Sequence, residues 1–186
     1  QGYLAGNGLL SKHIGIKGAG ADFLTQLIES KKTVEELFDT LDADFVKIIE
    51  AYSQGLNKYA ELNPEEVLEK KLFPITPKKM TAYSFLQLFI ANEADKLVIS
   101  IINNNVPREN PFKDDIKGSN TFAFNSFKTG TDETYLAINT HQPLDGPTSW
   151  YEAHLVSEEG TNIIGATFAG DPCILIGANE TLGWAH

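Results

Sequence analysis

The tripeptide Gly118-Ser119-Asn120 stands where the sequence changes from helical to strand-like patterns, and its serine hydroxyl could act as a nucleophile. The glycine before the serine has no Cβ, so the peptide carbonyl between the two residues can be approached at little steric cost. Taken alone, Gly-Ser-Asn is an ordinary loop tripeptide, and a simple turn is the first interpretation. The chemical interpretation depends on residues further along the chain.

Two histidines come after the serine in segments that alternate like strands. His141 comes directly after the predicted strand Tyr135–Thr140, and its spacing alone predicts a loop histidine. His154 lies inside the predicted strand Trp150–Val156, and we predict that it makes a structural hydrogen bond within a sheet. Spacing alone therefore assigns neither histidine to catalysis.

The composition limits the classes of function. The chain has 186 residues, of which 42% are hydrophobic and 10% aromatic, as in one sizeable globular domain or two small ones. A net charge of -10 argues against nucleic acid or an anionic membrane as the main partner. Cys173 is the only cysteine, which excludes an internal disulfide. The sequence begins at Gln1 and stops at His186 within a strand-like run, so we expect a piece of a longer protein.

The segment before Gly118 must position the serine, and its patterns are helical. Apolar residues at helical spacing form a stripe between residues 45 and 59. Gly55 lies in the middle of this stripe, where glycine costs about 1 kcal/mol relative to alanine. We therefore expect Gly55 to pack closely against another backbone.

Three local signals predict where helices begin. Thr33 opens a capping-box pattern, while Asn63-Pro64 and Thr76-Pro77 each join an N-cap residue to a proline at the first helical position. We predict a helix start at each of these places. The last of them opens a long helix from about Pro77 to Asn103.

The residues after Gly118 are predicted to form short strands. Turn signals at Gly130-Thr131-Asp132 and Glu158-Glu159-Gly160 favour antiparallel pairing. The predicted strands are Ser119–Ser126, Tyr135–Thr140, Trp150–Val156, Asn162–Phe168, Ile174–Gly177 and Leu182–Ala185. The sequence thus predicts an α+β fold in three parts, a helical segment at 1–102, a polar linker at 103–118 and antiparallel strands at 119–186.

A series of sequence blocks in fixed order gives the serine a chemical context. The blocks are GSN at 118–120, AINTHQP at 137–143, WYEAHL at 150–155, GATFAGDP at 165–172, and GANE at 177–180 followed by GWAH at 183–186. Together they resemble the penicillin acylase family of N-terminal-nucleophile hydrolases, and more closely its acyl-homoserine-lactone and cephalosporin acylase branch. The helical segment EAYSQGLN at 50–57 is similar to the α chain of that family. Spaced blocks in the right order are more specific than any one of them.

The resemblance implies a precursor that cuts itself between Gly118 and Ser119 and so gives an α chain and a β chain. Ser119 would then be the nucleophile, and its freed α-amine, with a reference pKa of about 7.7–8.0, would be the base. His141 matches a histidine that hydrogen-bonds the nucleophile in that branch. Positions near those that contact the acyl group in relatives are Gln142, Tyr151 and Ile176.

The resemblance also implies a fold, partners and a location. The fold would be part of the αββα sandwich of the family, with the helical part and some strands of the two sheets. The partners would be a small-molecule N-acyl amide substrate and the remainder of the protein's own α and β chains, with no nucleic acid and no membrane. No metal or other cofactor is predicted. The family implies export to the periplasm or the medium.

Two classes of function stay open. The first is an amidohydrolase (acylase) that cleaves a linear amide through Ser119. The second is a non-catalytic binding or structural module, including a degenerate homologue that is never cut. Because the resemblance puts the oxyanion donors beyond His186, we expect residues 1–186 alone to show no useful turnover.

Overall fold

A computed structural model of the chain describes residues 1–67, 69–105 and 118–186. The helices are α1 (Gly2–Gly6), α2 (Ser11–Ile14), α3 (Ala19–Leu27), α4 (Ser30–Leu37), α5 (Ala43–Leu62), α6 (Pro77–Ala91), α7 (Ala94–Ile102) and α8 (Ser126–Thr129). The strands are β1 (Asn120–Phe124), β2 (Tyr135–Asn139), β3 (Trp150–Val156), β4 (Asn162–Phe168), β5 (Ile176–Ala178) and β6 (Gly183–Trp184). Among the residues that the structure describes, helices, with short 3-10 turns included, hold 49% and antiparallel sheets hold 17%, so the predicted α+β class is confirmed. Residues 106–117 of the predicted linker lie outside the described residues.

The chain divides into two compact units. The helical unit comprises Gln1–Lys96 together with Gly170–Pro172. The strand unit comprises Leu97–Ala169 together with Cys173–His186.

Helix α6 is the central element of the helical unit and packs against α1, α4 and α5. It begins as predicted, because the Thr76 side chain accepts a hydrogen bond from Lys79 N and Pro77 occupies the first turn. The buried core cluster beside it comprises Leu4, Ile49, Leu72, Ile75 and Met80. The local start signal therefore sets where α6 begins, and its buried apolar face stabilises it in the fold.

The glycine-rich N-terminus forms α1, which lies unusually close to α6. A Cβ added to Gly6 would lie 2.4 Å from Cα of Tyr83, and one added to Gly2 would lie 2.4 Å from the Tyr83 ring. Real side chains do not fit at such distances from a neighbouring backbone, so glycine is required at Gly6. The absence of side chains at these two positions therefore lets α1 pack directly against α6.

The predicted long helix from Pro77 to Asn103 is wrong, because α6 ends at Ala91 and α7 begins at Ala94. The Asn92 side chain donates to the carbonyl of Leu88 at 2.7 Å, and Glu93 adopts a left-handed backbone with φ of 56°. An asparagine side chain that donates a hydrogen bond to a carbonyl of its own helix competes with the backbone N–H groups for that carbonyl, which favours the end of the helix.

The other two predicted helix starts are also wrong. Helix α4 begins at Ser30, so Thr33 lies inside it. Asn63 instead ends α5, and its side chain donates to the carbonyl of Tyr59 at 3.0 Å. Gly55 has open space where a Cβ would lie, so the expected close packing there is wrong as well.

The strand unit holds a two-stranded sheet, β1-β2, and a four-stranded sheet in the order β3-β4-β5-β6. All pairs are antiparallel, as predicted, and β3 and β4 have the predicted bounds. Gly160, with φ of 100°, makes the predicted turn between them. Gly165 and Gly177 face each other across β4 and β5, where a Cβ on either would lie within 2.5 Å of a backbone oxygen.

No helix among the residues described combines the length and apolar character needed to cross a membrane.

Candidate active site

Ser119 immediately precedes β1, and the β1–β2 hairpin sets its neighbours. The ladder ends with the pair Asn120–Asn139. Ser119 therefore lies just before β1 and Thr140 just after β2, at the same end of the hairpin. Continuing the register by one residue puts Thr140 across from Ser119, and His141 is the next residue along the chain. The structure therefore brings Ser119 and His141 to the same end of one hairpin.

Thr140 is tied to the neighbouring sheet. Trp150, the first residue of β3, donates its indole N–H to Thr140 Oγ1 at 2.6 Å. The same indole stacks on Phe168 of β4, with ring centroids 4.7 Å apart and planes 27° from parallel. Phe168 is only 6% exposed, so it gives the indole a fixed support. The residue opposite Ser119 is thereby anchored to the four-stranded sheet.

One face of the hairpin meets the four-stranded sheet. Side chains alternate along strands, so Thr121 and Leu136 lie on the same face of the β1–β2 pair. Thr121 Oγ1 donates to the carbonyl of His186 at 3.1 Å, and Leu136 lies where a Cβ on Gly183 would meet it at 2.7 Å. Continued by one residue, the alternation assigns Ser119 to this face, toward the other sheet.

His141 and Gln142 lie in the irregular segment that comes after β2. His141 is exposed and Gln142 is half-buried. Within residues 118–186, no hydrogen bond joins Ser119 to His141. The hairpin thus supplies the proximity of the two residues but not a direct hydrogen bond between their side chains.

The other two predicted substrate residues lie on opposite faces of the four-stranded sheet. Tyr151 pairs with Thr167 and Ile176 pairs with Ala166, so the alternation puts Ile176 on the face that carries Trp150. Tyr151 points away from that face and is 65% exposed. Of the two, Ile176 shares the face that meets the hairpin.

The peptide between Gly118 and Ser119 is open to solvent. Both residues are exposed, and a Cβ on Gly118 would meet nothing within 4 Å. A hydroxyl beside an accessible peptide carbonyl has the elements of a nucleophilic acyl transfer. No group of three His, Cys, Asp or Glu side chains able to hold a metal ion occurs in the described ranges.

The contact between Trp150 and Thr140 was not anticipated from the sequence. A partly buried tryptophan usually finds a partner for its N–H, and that rule was the available signal. The partner could not be identified, because the contact joins β3 to a residue of the irregular segment after β2. His154, in contrast, behaves as predicted, since its Nε2 hydrogen-bonds Asn162 Oδ1 at 2.8 Å within the β3–β4 pair.

A separate cluster of titratable groups lies in the helical unit. Tyr3 donates its hydroxyl to the carbonyl of Gly170 at 2.8 Å, and its ring meets that of Tyr83 edge-on at 5.2 Å. Burial raises the pKa of Asp171 to about 6. Burial, and next the charge of Asp171, raise the pKa of Tyr83 to about 12. Asp171 is therefore a carboxyl that folding makes easier to protonate.

The Asp171 carboxyl should make the helical unit more stable at pH 4.5 than at pH 7. Its pKa is 3.8 in the reference state and about 6 in the folded state, so its contribution is complete below 3.8 and is lost as the pH rises through 6. For a fully buried carboxyl, a pKa rise of that size corresponds to about 3 kcal/mol in the free energy of unfolding. Partial solvent contact of Asp171 reduces the expected contribution to about 1–2 kcal/mol. Thermal unfolding of the parent and Asp171→Asn at both pH values checks this, because the variant should lose that part of the pH dependence. Identical pH dependence in the two proteins would contradict it.

An open apolar groove of about 360 Å³ also lies in the helical unit. Its walls include Ala60, Pro64, Val67, Phe73 and Pro74. None of the predicted site residues lines it, so it does not belong to the candidate active site.

Comparisons with known proteins give one family model and several named relatives. Residues 2–186 match the family model described as penicillin amidase. The chain is 23% identical over 188 residues to the acyl-homoserine lactone acylase PvdQ of Pseudomonas fluorescens (strain Pf0-1), covering 89% of this chain and 24% of that protein. It is 33% identical over 69 residues to aculeacin-A acylase of Actinoplanes utahensis, covering 37% of this chain and 9% of that protein. The chain thus spans about a quarter of the length of the first of these relatives.

Proposed function

Because this chain belongs to the penicillin amidase family, we propose that its protein is an amidohydrolase whose nucleophile is Ser119. The members it resembles are acylases by name, which are enzymes that act on amides. The observation that carries the proposal is the shared end of the β1–β2 hairpin. There Ser119 lies across from Thr140, which is the residue before His141.

The proposal begins with a cut between Gly118 and Ser119. The Ser119 hydroxyl attacks the carbonyl of Gly118, its proton passes to the amide nitrogen and the C–N bond breaks. Gly118 is then an ester on the serine oxygen, and the Ser119 amine is free. Water then opens the ester, giving a carboxylate at Gly118 and a free hydroxyl at Ser119. The exposed, open surroundings of this peptide support such a reaction.

The proposed cut leaves the sheet intact. The first ladder pair is Asn120–Asn139, so the broken bond lies outside the β1–β2 hydrogen bonds. The new N-terminus would therefore stay at the end of a paired strand, beside the segment that begins at Thr140. A fixed N-terminal residue is what this kind of catalysis requires, since nucleophile and base belong to one amino acid.

In the mature enzyme, the Ser119 amine takes the proton of its own hydroxyl as the oxygen attacks the substrate carbonyl. A free α-amine has a reference pKa of about 7.7–8.0, so part of it is unprotonated near neutral pH. The leaving amine receives the proton, and water hydrolyses the acyl ester on Ser119. His141 is proposed to orient the amine or hydroxyl, a role that its place at the hairpin end supports. Before the cut this nitrogen is an amide and cannot serve as the base.

The proposed substrates are linear N-acyl amides with an apolar acyl group. The names of the relatives, an acyl-homoserine lactone acylase and aculeacin-A acylase, support an N-acyl substrate. Ile176, on the sheet face that meets the hairpin, is an apolar candidate for acyl contact, with Gln142 and Tyr151 as the other proposed substrate residues. The remainder of the protein's own α and β chains would complete the site. By resemblance to the family, we propose a periplasmic or secreted location.

Mass spectrometry of the purified complete protein tests the proposal. We expect two polypeptides, the second of which begins at Ser119. A single intact chain after long incubation at neutral pH would overturn the proposal and favour a non-catalytic module. An N-terminus at any other residue would exclude Ser119 as the nucleophile.

A further inference from the structure

We propose that Trp150 is a positioning residue for the chemistry at Ser119. By holding Thr140, it fixes the end of β2 and so the segment that carries His141 beside the nucleophile. The inference rests on the proposed function of Ser119. Trp150 belongs to the four-stranded sheet and would act on the candidate site through its hydrogen bond to Thr140.

The direction of the hydrogen bond is chemically fixed. An indole has one N–H donor and no acceptor, so Trp150 must donate and Thr140 Oγ1 must accept, at 2.6 Å. The Thr140 hydroxyl keeps its own hydrogen and can still donate it to another group. Trp150 therefore orients Thr140 and leaves the hydrogen of the Thr140 hydroxyl available for donation.

The donor is itself held in place from two sides. The Trp150 backbone is paired with Phe168 in the β3–β4 ladder, and the two rings stack with centroids 4.7 Å apart. Phe168 is buried. An aromatic ring that is paired, stacked and supported by a buried neighbour has little freedom, so the hydrogen bond is preorganised.

The end of the hairpin needs such a tether. The last ladder pair is Asn120–Asn139, and beyond it neither Ser119 nor Thr140 gains support from strand pairing. Strand and helix ends are the positions where local opening costs least. A displacement of about 1 Å at a reacting group can cost up to about 100-fold in rate. The bond from Trp150 is thus placed where a small movement has a large chemical effect.

The plain alternative is that Trp150 only packs the strand unit. In that case its removal lowers the amount of folded protein, while the molecules that do fold and mature keep the parent kcat. The two possibilities differ in the turnover per mature site, so the measurement must count free Ser119 amines.

The test uses the complete protein with Trp150→Phe, which keeps an aromatic ring over Phe168 and removes the N–H. Thr140→Val removes the acceptor, and Thr140→Ser restores it. Trp184→Phe makes the same change at a tryptophan whose indole nitrogen has no hydrogen bond to any residue the structure describes. We measure the half-time of cutting at Gly118–Ser119 by mass spectrometry. We also measure kcat and KM on acetyl, octanoyl and dodecanoyl p-nitroanilide, normalised to free Ser119 N-termini.

The proposal expects Trp150→Phe and Thr140→Val each to lower kcat per mature site about tenfold, with KM within about twofold, and to slow cutting by a similar factor. The double variant should be little worse than either single variant, because both remove one interaction. Thr140→Ser should recover most of the rate, and Trp184→Phe should stay within about twofold of the parent.

Two results overturn the proposal. The first is a parent that cuts and turns over while Trp150→Phe and Thr140→Val, both folded, match it in cutting half-time and in kcat per site. The second is a double variant whose loss is the product of the single losses. Failure of the proposed function has a different signature, because the parent itself would then remain one chain and hydrolyse none of the three anilides. That result removes both proposals together.

Discussion

Replacing Ser119 with alanine should leave the complete protein as one uncut polypeptide without amidase activity. Alanine has no hydroxyl to attack the Gly118 carbonyl, so the ester that precedes the cut cannot form. Without the cut, the nitrogen at position 119 stays an amide and cannot act as a base. Removing a serine nucleophile lowers kcat by on the order of 10⁶-fold in a well-studied hydrolase, and we expect a loss of at least about 10⁴-fold here. The readouts are the chain masses and the hydrolysis rate of an N-acyl amide.

Two further variants make the result specific. Ser126→Ala makes the same change at an exposed serine on α8, in the same strand unit, and should leave cutting and turnover within about twofold of the parent. Ser119→Cys keeps a nucleophile at the same place and should still cut, though at a changed rate. If Ser119→Ala matured normally or kept the parent rate, Ser119 would not be the nucleophile, and the assignment of its amine as the base would fail with it.

The parts of the fold that could be predicted are those set by a few neighbouring residues. The start of α6 depends on Thr76 and Pro77, and both act within one turn. Strands β3 and β4 could be bounded because alternation and the turn at Gly160 are local signals. Asn63 shows the limit of such signals, since an asparagine that can begin a helix can also end one by bonding the carbonyl four residues earlier.

The candidate site was only partly accessible from the sequence for a related reason. The identity of Ser119 and His141 comes from ordered blocks, but their nearness depends on the register of the β1–β2 pair. A shift of one residue would move every side chain of a strand to the other face. The hydrogen bond from Trp150 to Thr140 is harder to predict from the sequence, because it joins the first residue of β3 to the irregular segment that comes after β2. Local sequence patterns therefore predict the helices and strands, whereas the arrangement of the candidate site depends on how the strands pair.

The two helical glycines Gly6 and Gly55 should respond in opposite ways to alanine. Gly6→Ala puts a methyl group 2.4 Å from Cα and 2.8 Å from N of Tyr83, which are backbone atoms that cannot turn aside. Helix α1 would have to move away from α6, and overpacking of this kind costs about 3 kcal/mol. For a chain of this size we expect a fall in Tm of roughly 10 °C.

Gly55→Ala is the matched control, because it adds the same methyl group in the interior of α5 where nothing lies within 4 Å. Alanine is a better helix former than glycine by about 1 kcal/mol, so this variant should unfold at a higher temperature than the parent. The pair separates the two reasons for which a helix can contain glycine, a close crossing of another helix and a position free of packing constraint. Denaturant unfolding of both variants measures the difference, which should be about 4 kcal/mol. Equal effects of the two substitutions would mean that α1 does not approach α6 as closely as its glycines permit.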